Sequence, residues 1–214
     1  MVQVIKCKSE DGDLIEFEDK IIASGTMKDC YFHPNKEYAV LFYRDQQSLE
    51  SKNRLDMITT RYKMSIYNQI GGDYWKDLFC WPQKIVKYNN ELGFITPIYN
   101  SDFFFKNGSI NNDFLKIKNK EKEGKWFASA HNQNRFLDDS EKGDWKNYLK
   151  ICILISRAVR RLHASGLAHS DLSYKNILID PLKAKICIID NDALVVPGKY
   201  PPDVIGTPDF IAPD

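Results

Sequence analysis

One eight-residue stretch constrains this chain more than any other: His169-Ser170-Asp171-Leu172-Ser173-Tyr174-Lys175-Asn176. It follows a long amphipathic segment and leads straight into the apolar run Ile177-Leu178-Ile179. A second apolar run, Ile186-Cys187-Ile188-Ile189, ends at Asp190, which lies fourteen positions after Asn176. At 214 residues, 43% hydrophobic and 28% charged, the chain can bury a sizeable core around such a loop, as one domain or two small lobes. Its net charge of +1 gives no global field for nucleic acid or an anionic membrane, so neither is expected as a partner. The five cysteines are odd in number and widely spaced, with no CxxC pair, which argues against a disulfide framework or a zinc site. There is no signal-peptide core and no run of about 18 apolar residues, so the expected location is cytoplasmic.

Residues 1–46 read as β structure, broken at Asp11-Gly12-Asp13, at Ser24-Gly25-Thr26 and at His33-Pro34-Asn35-Lys36. Residues 50–70 place Leu55, Ile58, Tyr62, Ile66 and Ile70 at helical spacing and predict a helix ended by Gly71-Gly72. Two strands follow, at about 84–89 and 93–99, around Asn89-Asn90. The polar stretch 100–140 contains the charged run 116–123, which reads as a solvated loop or helix face. Residues 141–166 form the clearest helix, with Trp145, Tyr148, Leu149, Cys152, Ile155, Val159 and Leu162 on one stripe expected to be core. Two short strands flank an Asp180-Pro181 turn, and residues 191–214 are irregular with five prolines. The fold class expected is α+β, with a β-rich N-terminal lobe (1–99, one helix) and a helical C-terminal lobe from residue 100.

An Asp, an Asn five residues on, and another Asp closing the next strand can form a phosphoryl-transfer site. Asp171 would accept the proton of an attacking hydroxyl, while Asn176 and Asp190 would hold Mg²⁺ against nucleotide phosphates. The pattern HxDLxxxN, set between an amphipathic helix and a buried strand, resembles the protein-kinase catalytic loop. That resemblance implies a two-lobe kinase fold, ATP and Mg as cofactors, and a protein hydroxyl as substrate. In it, His169 orients the loop, and Lys175 takes the place of an arginine that faces the γ-phosphate in many tyrosine kinases. Asp190-Asn191-Asp192 stands for Asp-Phe-Gly, with Asp190 as main metal ligand and Asp192 read as a turn residue in preference to a second ligand.

Residues 23–31 resemble a kinase glycine-rich loop, with Ala23, Gly25, Lys28 and Cys30 at the positions of its three glycines and following valine. The kinase strand lysine is missing, since Tyr38-Ala39-Val40-Leu41 puts Leu41 in its place. Lys28 is the candidate replacement, as in the with-no-lysine kinases, and Asp56, fifteen residues after Leu41, is its candidate acidic partner. Arg44, Lys52 or Arg54 remain alternative cations. The resemblance lays the adenine between Cys30 and Ala39 above and Leu178 below.

Ser170 replaces the arginine that reads activation-loop phosphate, so activation by loop phosphorylation is not expected. The Asp-Leu-Ser-x-x-Asn wording also resembles RIO-type kinases, but Gly206-Thr207-Pro208-Asp209-Phe210-Ile211-Ala212-Pro213-Asp214 resembles the protein-kinase GTPxYxAPE segment and implies a Thr207–Asp171 hydrogen bond. Wording across 198–213 is similar to bacterial kinase-like proteins of tellurite-resistance-type stress operons. The resemblance implies a C-lobe cut short, leaving apolar helix surface for self-association or a partner to cover. Two functions follow: a Ser/Thr-directed protein kinase, or a pseudokinase serving as a nucleotide-binding or scaffold module. A small-molecule phosphotransferase ranks below both.

Overall fold

The computed structural model describes residues 2–68, 71–201, 206, 207 and 210. Strands β1 (Val4–Lys8) and β2 (Leu14–Glu18) make an antiparallel hairpin. A five-stranded antiparallel sheet follows in the order β3-β4-β5-β7-β6, from β3 (Ala23–Ser24), β4 (Lys28–Phe32), β5 (Ala39–Tyr43), β6 (Lys84–Tyr88) and β7 (Glu91–Thr96). The Ala-Val-Leu-Phe-Tyr run of β5 is apolar on both faces, which suits a strand flanked by neighbours and covered on each side. Val40 and Phe42 face a core with Ile15, Phe17, Val86 and Ile95, whereas Tyr43 packs on the opposite face with Leu55, Ile85 and Phe94. Gly93 lets β7 close on β5, because a Cβ there would come within 2.5 Å of the Leu41 carbonyl oxygen. Asn89 and Asn90 both have positive φ (48° and 66°), as a tight β-hairpin requires, so β7 begins earlier than the Asn-Asn break alone suggests.

The expected single helix over 50–70 is three pieces. The α1 helix (Leu49–Met57) starts at Ser48, whose Oγ accepts from the Ser51 N–H. A π turn occupies Ile58–Tyr62, with the Lys63 N–H reaching back to the Ile58 carbonyl, and α2 (Lys63–Tyr67) continues from it. Gly71, at φ 84°, opens a further short helix, α3 (Gly72–Lys76); Ile70 lies outside the described residues. Leu55, Ile58, Tyr62 and Ile66 are all buried, as their spacing predicts. They serve two cores, however. Leu55 joins the sheet, whereas Ile58, Tyr62 and Ile66 join the largest core, with Phe79, Trp81, Leu162, Ile186 and Ile188. That core takes side chains from both sides of residue 99.

The stretch 100–140 holds a four-residue turn, α4 (Ile110–Asp113), whose Asn111 and Asn112 lie in the left-handed region, one short helix, α5 (Ala130–Phe136), and several 3-10 turns. Its charged run is not a plain solvated face. Ile117 and Lys122 are buried, and the Lys122 ammonium meets Glu141 Oε2 at 2.9 Å. Glu141 Oε1 in turn accepts the backbone N–H groups of Lys106, Asn107 and Gly108 at 2.6, 2.5 and 3.2 Å. Helix α6 (Trp145–Ala164) begins with the Asp144 carboxylate capping the Asn147 N–H and ends at Gly166, φ 73°. Its buried edge is Ile151, Ala158 and Leu162 rather than the whole expected stripe; Trp145, Leu149 and Cys152 face solvent. The reason is placement, because α6 lies across the hairpin β8 (Ile177–Asp180)–β9 (Lys185–Ile188), which covers only one side of a helix apolar on two. Among the described residues no helix is long and apolar enough to cross a membrane.

Candidate phosphoryl-transfer site

The catalytic loop is folded by its own backbone. Ser173 N–H donates to the Asp171 carbonyl at 2.9 Å and Asn176 N–H to the Ser173 carbonyl at 3.1 Å. Loop and strand end are tied together, since Ile189 N–H donates to the Asn176 carbonyl and His169 Nε2 lies 3.1 Å from the Ile189 carbonyl. Burial lowers the His169 pKa and favours the neutral ring, which suits an orienting residue.

Asp171 is held from two directions. Its Oδ1 accepts the Thr207 N–H at 2.9 Å and the Thr207 hydroxyl at 2.6 Å, which is the hydrogen bond expected from the sequence. Asn176 Nδ2 donates to the Asp171 carbonyl at 2.7 Å and to Oδ2 at 3.1 Å. The amide of Asn176 is thereby oriented with its nitrogen spent on Asp171, leaving its Oδ1 as the acceptor a cation would use. Of the segment 206–214, only Gly206, Thr207 and Phe210 lie within the described residues; Phe210 packs edge-on against Tyr174, ring centroids 5.5 Å apart.

Lys28 opens β4, next to a tight turn closed by the Gly25 N–H on the Lys28 carbonyl at 2.9 Å. Cross-strand pairing sets Lys28 opposite Tyr43, Cys30 opposite Leu41 and Phe32 opposite Ala39, so Lys28 and Cys30 share the face of Ala39 and Leu41. Arg44 is on the other face and pairs with Asp29. The Lys28 ammonium does not meet Asp56. That carboxylate is exposed on α1, where it borders a cavity of about 240 Å³ with Glu10, Lys63 and Lys84. Lys28 instead lies 3.0 Å from Asp190 Oδ1 and 2.7 Å from Asp192 Oδ1. Asp192 sits in a single 3-10 turn, Asn191–Ala193, as a turn residue would, but its carboxylate reaches beyond that turn. It is 3% exposed, and its Oδ2 accepts the Tyr43 hydroxyl at 2.6 Å. The helix-borne acid fails to reach the lysine because α1 turns its buried edge, Arg54 and Leu55, inward and leaves Asp56 in solvent.

Electrostatics follow this geometry. Burial works against charge on Lys28, but Asp192 and Asp190 outweigh it, and the ammonium pKa is raised. Burial likewise opposes ionisation of Asp192, yet the neighbouring Lys28 ammonium and Tyr43 hydroxyl hold its carboxyl below the usual range. Burial first, and the Asp192 charge second, keep Tyr43 protonated as the donor. Glu121, which the sequence placed in a solvated run, accepts from the Tyr99 hydroxyl, and its pKa is raised by burial and by the nearby charges of Glu123 and Asp190. Burial, with Glu121 beside it, pushes the Cys30 thiol up to about 11.

Asp190 sits in the left-handed region (φ 59°), which Asp tolerates better than most residues, and half of its side chain is exposed. Asn191 is buried and donates to the carbonyls of Cys80 and Ile188, fixing the loop to the strand-like segment before β6. Among the described residues no group of three or more His, Cys, Asp or Glu side chains could hold a metal. Asn176 and Asp190 still fit Mg²⁺, which is commonly held by one or two protein oxygens together with phosphate oxygens and water. Leu178 is wholly enclosed with Cys80, Phe103 and Cys187, and Ala39 is 5% exposed, so both are packing residues in this state. Lys175 is exposed, with no side-chain hydrogen bond or ion pair among the described residues. Sequence reasoning missed Tyr43 and the lysine-holding role of Asp192, which it had weighed only as a turn residue or a second ligand, and it missed Glu121. The only signal for the first two was a tyrosine two strand positions past the missing lysine and a second carboxylate in the metal loop.

No protein-family model and no curated protein matches the chain. Among solved structures, that of vaccinia related kinase 3 superposes with a TM-score of 0.58 at 10% identity, over 97% of this chain and 59% of that one. The chain thus spans about three-fifths of the length of the structure it matches. A likeness at this identity speaks to fold alone: the chain has a kinase-like, two-lobe α+β fold.

Proposed function

We propose that this protein is a Mg·ATP-dependent protein kinase directed at serine or threonine hydroxyls, with Lys28 in the role of the absent strand lysine, as in the with-no-lysine kinases. The observation that carries the reading is the hold on Asp171, whose Oδ1 is occupied by Thr207 while Asn176 supports Oδ2. A carboxylate fixed in this way has one oxygen held by Thr207 and the other held by the amide of the residue proposed to carry the cation. Mg·ATP, when bound, supplies an electrophilic γ-phosphoryl group and the cation that offsets its charge.

Asp171 would orient the substrate hydroxyl and take its proton as the new oxygen–phosphorus bond forms, while the bond from the γ-phosphorus to the β–γ bridging oxygen breaks and ADP leaves with that oxygen. Asn176 Oδ1 and the Asp190 carboxylate hold the cation, Lys28 faces the phosphates, and Thr207 keeps Asp171 from rotating out of line. Transfer of labelled phosphate from ATP to the protein itself or to a generic protein substrate tests this reading. Asp171→Asn should lower the rate by about 10²–10⁴-fold, and an unchanged rate would refute the assignment.

A second reading has one observation in its favour. Lys28 neutralises Asp190, the proposed metal carboxylate, as a nucleotide-binding scaffold without transfer could do. Nucleotide binding that is saturable and cation-independent, with no transfer, would select it.

A further inference from the structure

Two carboxylates share Lys28, and they differ in kind. Asp190 Oδ1 is 3.0 Å away on a side chain half exposed; Asp192 Oδ1 is 2.7 Å away on one that is 3% exposed. Both oxygens of Asp192 are engaged by side chains distant in sequence, Lys28 on β4 and Tyr43 on β5. Those two donors are direct cross-strand partners. Ammonium, carboxylate and phenol therefore close a ring between the sheet and the metal loop, roofed by the Phe94 ring 5.4 Å from the ammonium. A turn aspartate commonly bonds only local N–H groups in solvent; this one is buried and sends both carboxylate oxygens to the sheet.

We infer that Asp192 and Tyr43 are the positioning residues of Lys28, anchoring the phosphate-facing ammonium from the metal loop in place of a helix carboxylate. The inference rests on the phosphotransfer reading for what the ammonium faces; the anchor itself is a property of the chain alone. When Asp190 turns to a cation, Lys28 loses one partner and keeps the buried one. This hold on the lysine does not run through Asp56, although α1 packs against the 191–193 turn and its buried Arg54 lies close enough to feel the charges of Tyr43 and Asp192.

Lysine acetylation by an N-hydroxysuccinimide ester, followed peptide by peptide by mass spectrometry, tests the anchor without nucleotide. Asp192→Asn should raise acetylation of Lys28 by about tenfold, the worth of a charge-assisted hydrogen bond. Lys122, fully buried against Glu141, should not change, and Asp56→Asn should alter neither. Equal Lys28 labelling in wild type and Asp192→Asn, or a rise in Asp56→Asn instead, overturns the inference. If Asp192→Asn raises Lys28 and Lys122 together it has unfolded, and Tyr43→Phe decides. A rise of about threefold at Lys28 alone then supports the anchor, and no rise overturns it.

Calorimetric titration adds the ligand side. Asp192→Asn should weaken Mg·ATP about tenfold and leave adenosine within about twofold, with partial recovery in Asp192→Glu. Wild-type protein that binds no ATP refutes the phosphotransfer reading, while the acetylation result still decides the anchor.

Discussion

Lys122 and Lys28 both end on carboxylates shielded from solvent, 2.9 Å from Glu141 Oε2 and 2.7 Å from Asp192 Oδ1. Around Lys122 the circle is closed. Glu141 is 1% exposed, and its other oxygen takes three backbone N–H groups, so no coordination remains for anything else. Around Lys28 the circle has a gap, because Asp190 stands half in solvent with one oxygen on the lysine. The same pair of functional groups thus serves two ends. A pair with both members enclosed by the protein fastens a polar segment, whereas a pair with one exposed member can exchange partners with a ligand.

The largest expected effect is on the closed pair. Glu141→Ala leaves the Lys122 charge and three N–H groups without acceptors and should lower unfolding free energy by about 3–5 kcal/mol in urea titrations. A loss below about 1 kcal/mol would mean that the pair fastens nothing. Lys28→Ala should cost less, about 1–3 kcal/mol, because Asp190 can turn to water and Asp192 keeps Tyr43. Equal losses at the two sites would break the comparison.

Acid sharpens it further. Burial opposes ionisation of Glu141, but the Asn107 N–H and the Lys122 ammonium prevail, and its pKa is lowered. The native carboxyl therefore binds its proton later than the unfolded one does. Its contribution is complete above the ordinary glutamate value of about 4.3 and is lost as pH falls below that toward the depressed native value. Stability measured across this window should fall less steeply in Glu141→Gln than in wild type; parallel curves would show that Glu141 is not the group titrating. Smallest of all, Asp56→Ala should alter stability by no more than about 0.5 kcal/mol and leave nucleotide affinity unchanged, since its carboxylate is in solvent.

How much of this was legible beforehand depended on the reach of each interaction. The loop 169–176 encodes its own turn, and the Thr207–Asp171 hydrogen bond was implied by the resemblance of 206–214 to a kinase segment. Leu55, Ile58, Tyr62 and Ile66 announced their burial through periodicity. Asp192 did not, because which of two alternate carboxylates enters the interior is decided by Tyr43, 149 positions away. Asp56 misled for the converse reason, since spacing from Leu41 places a residue along a helix without stating which way its side chain turns. The run 116–123 looked uniformly hydrophilic, and only the distant Glu141 makes burial of Lys122 tolerable. On α6, periodicity announced an apolar helix but not which part of its stripe the β8–β9 hairpin would cover.

The π turn at Ile58–Tyr62 has a consequence for how this sequence can change length. A π turn holds one residue more than the α turn it replaces, so deleting a residue there would restore regular winding at no loss of backbone hydrogen bonding. Each residue of an α-helix advances the face by about 100°, however, so winding the same residues as a plain α-helix, with none deleted, would swing Tyr62 and Ile66 away from Phe79 and Trp81 while Leu55 stayed with the sheet. The indole N–H of Trp81, bonded to the Ile58 carbonyl at 2.9 Å, would lose its acceptor as well. The helix is thus a coupling with a fixed angular offset between two cores. Its winding at this turn is as strictly specified as the identity of any side chain it carries.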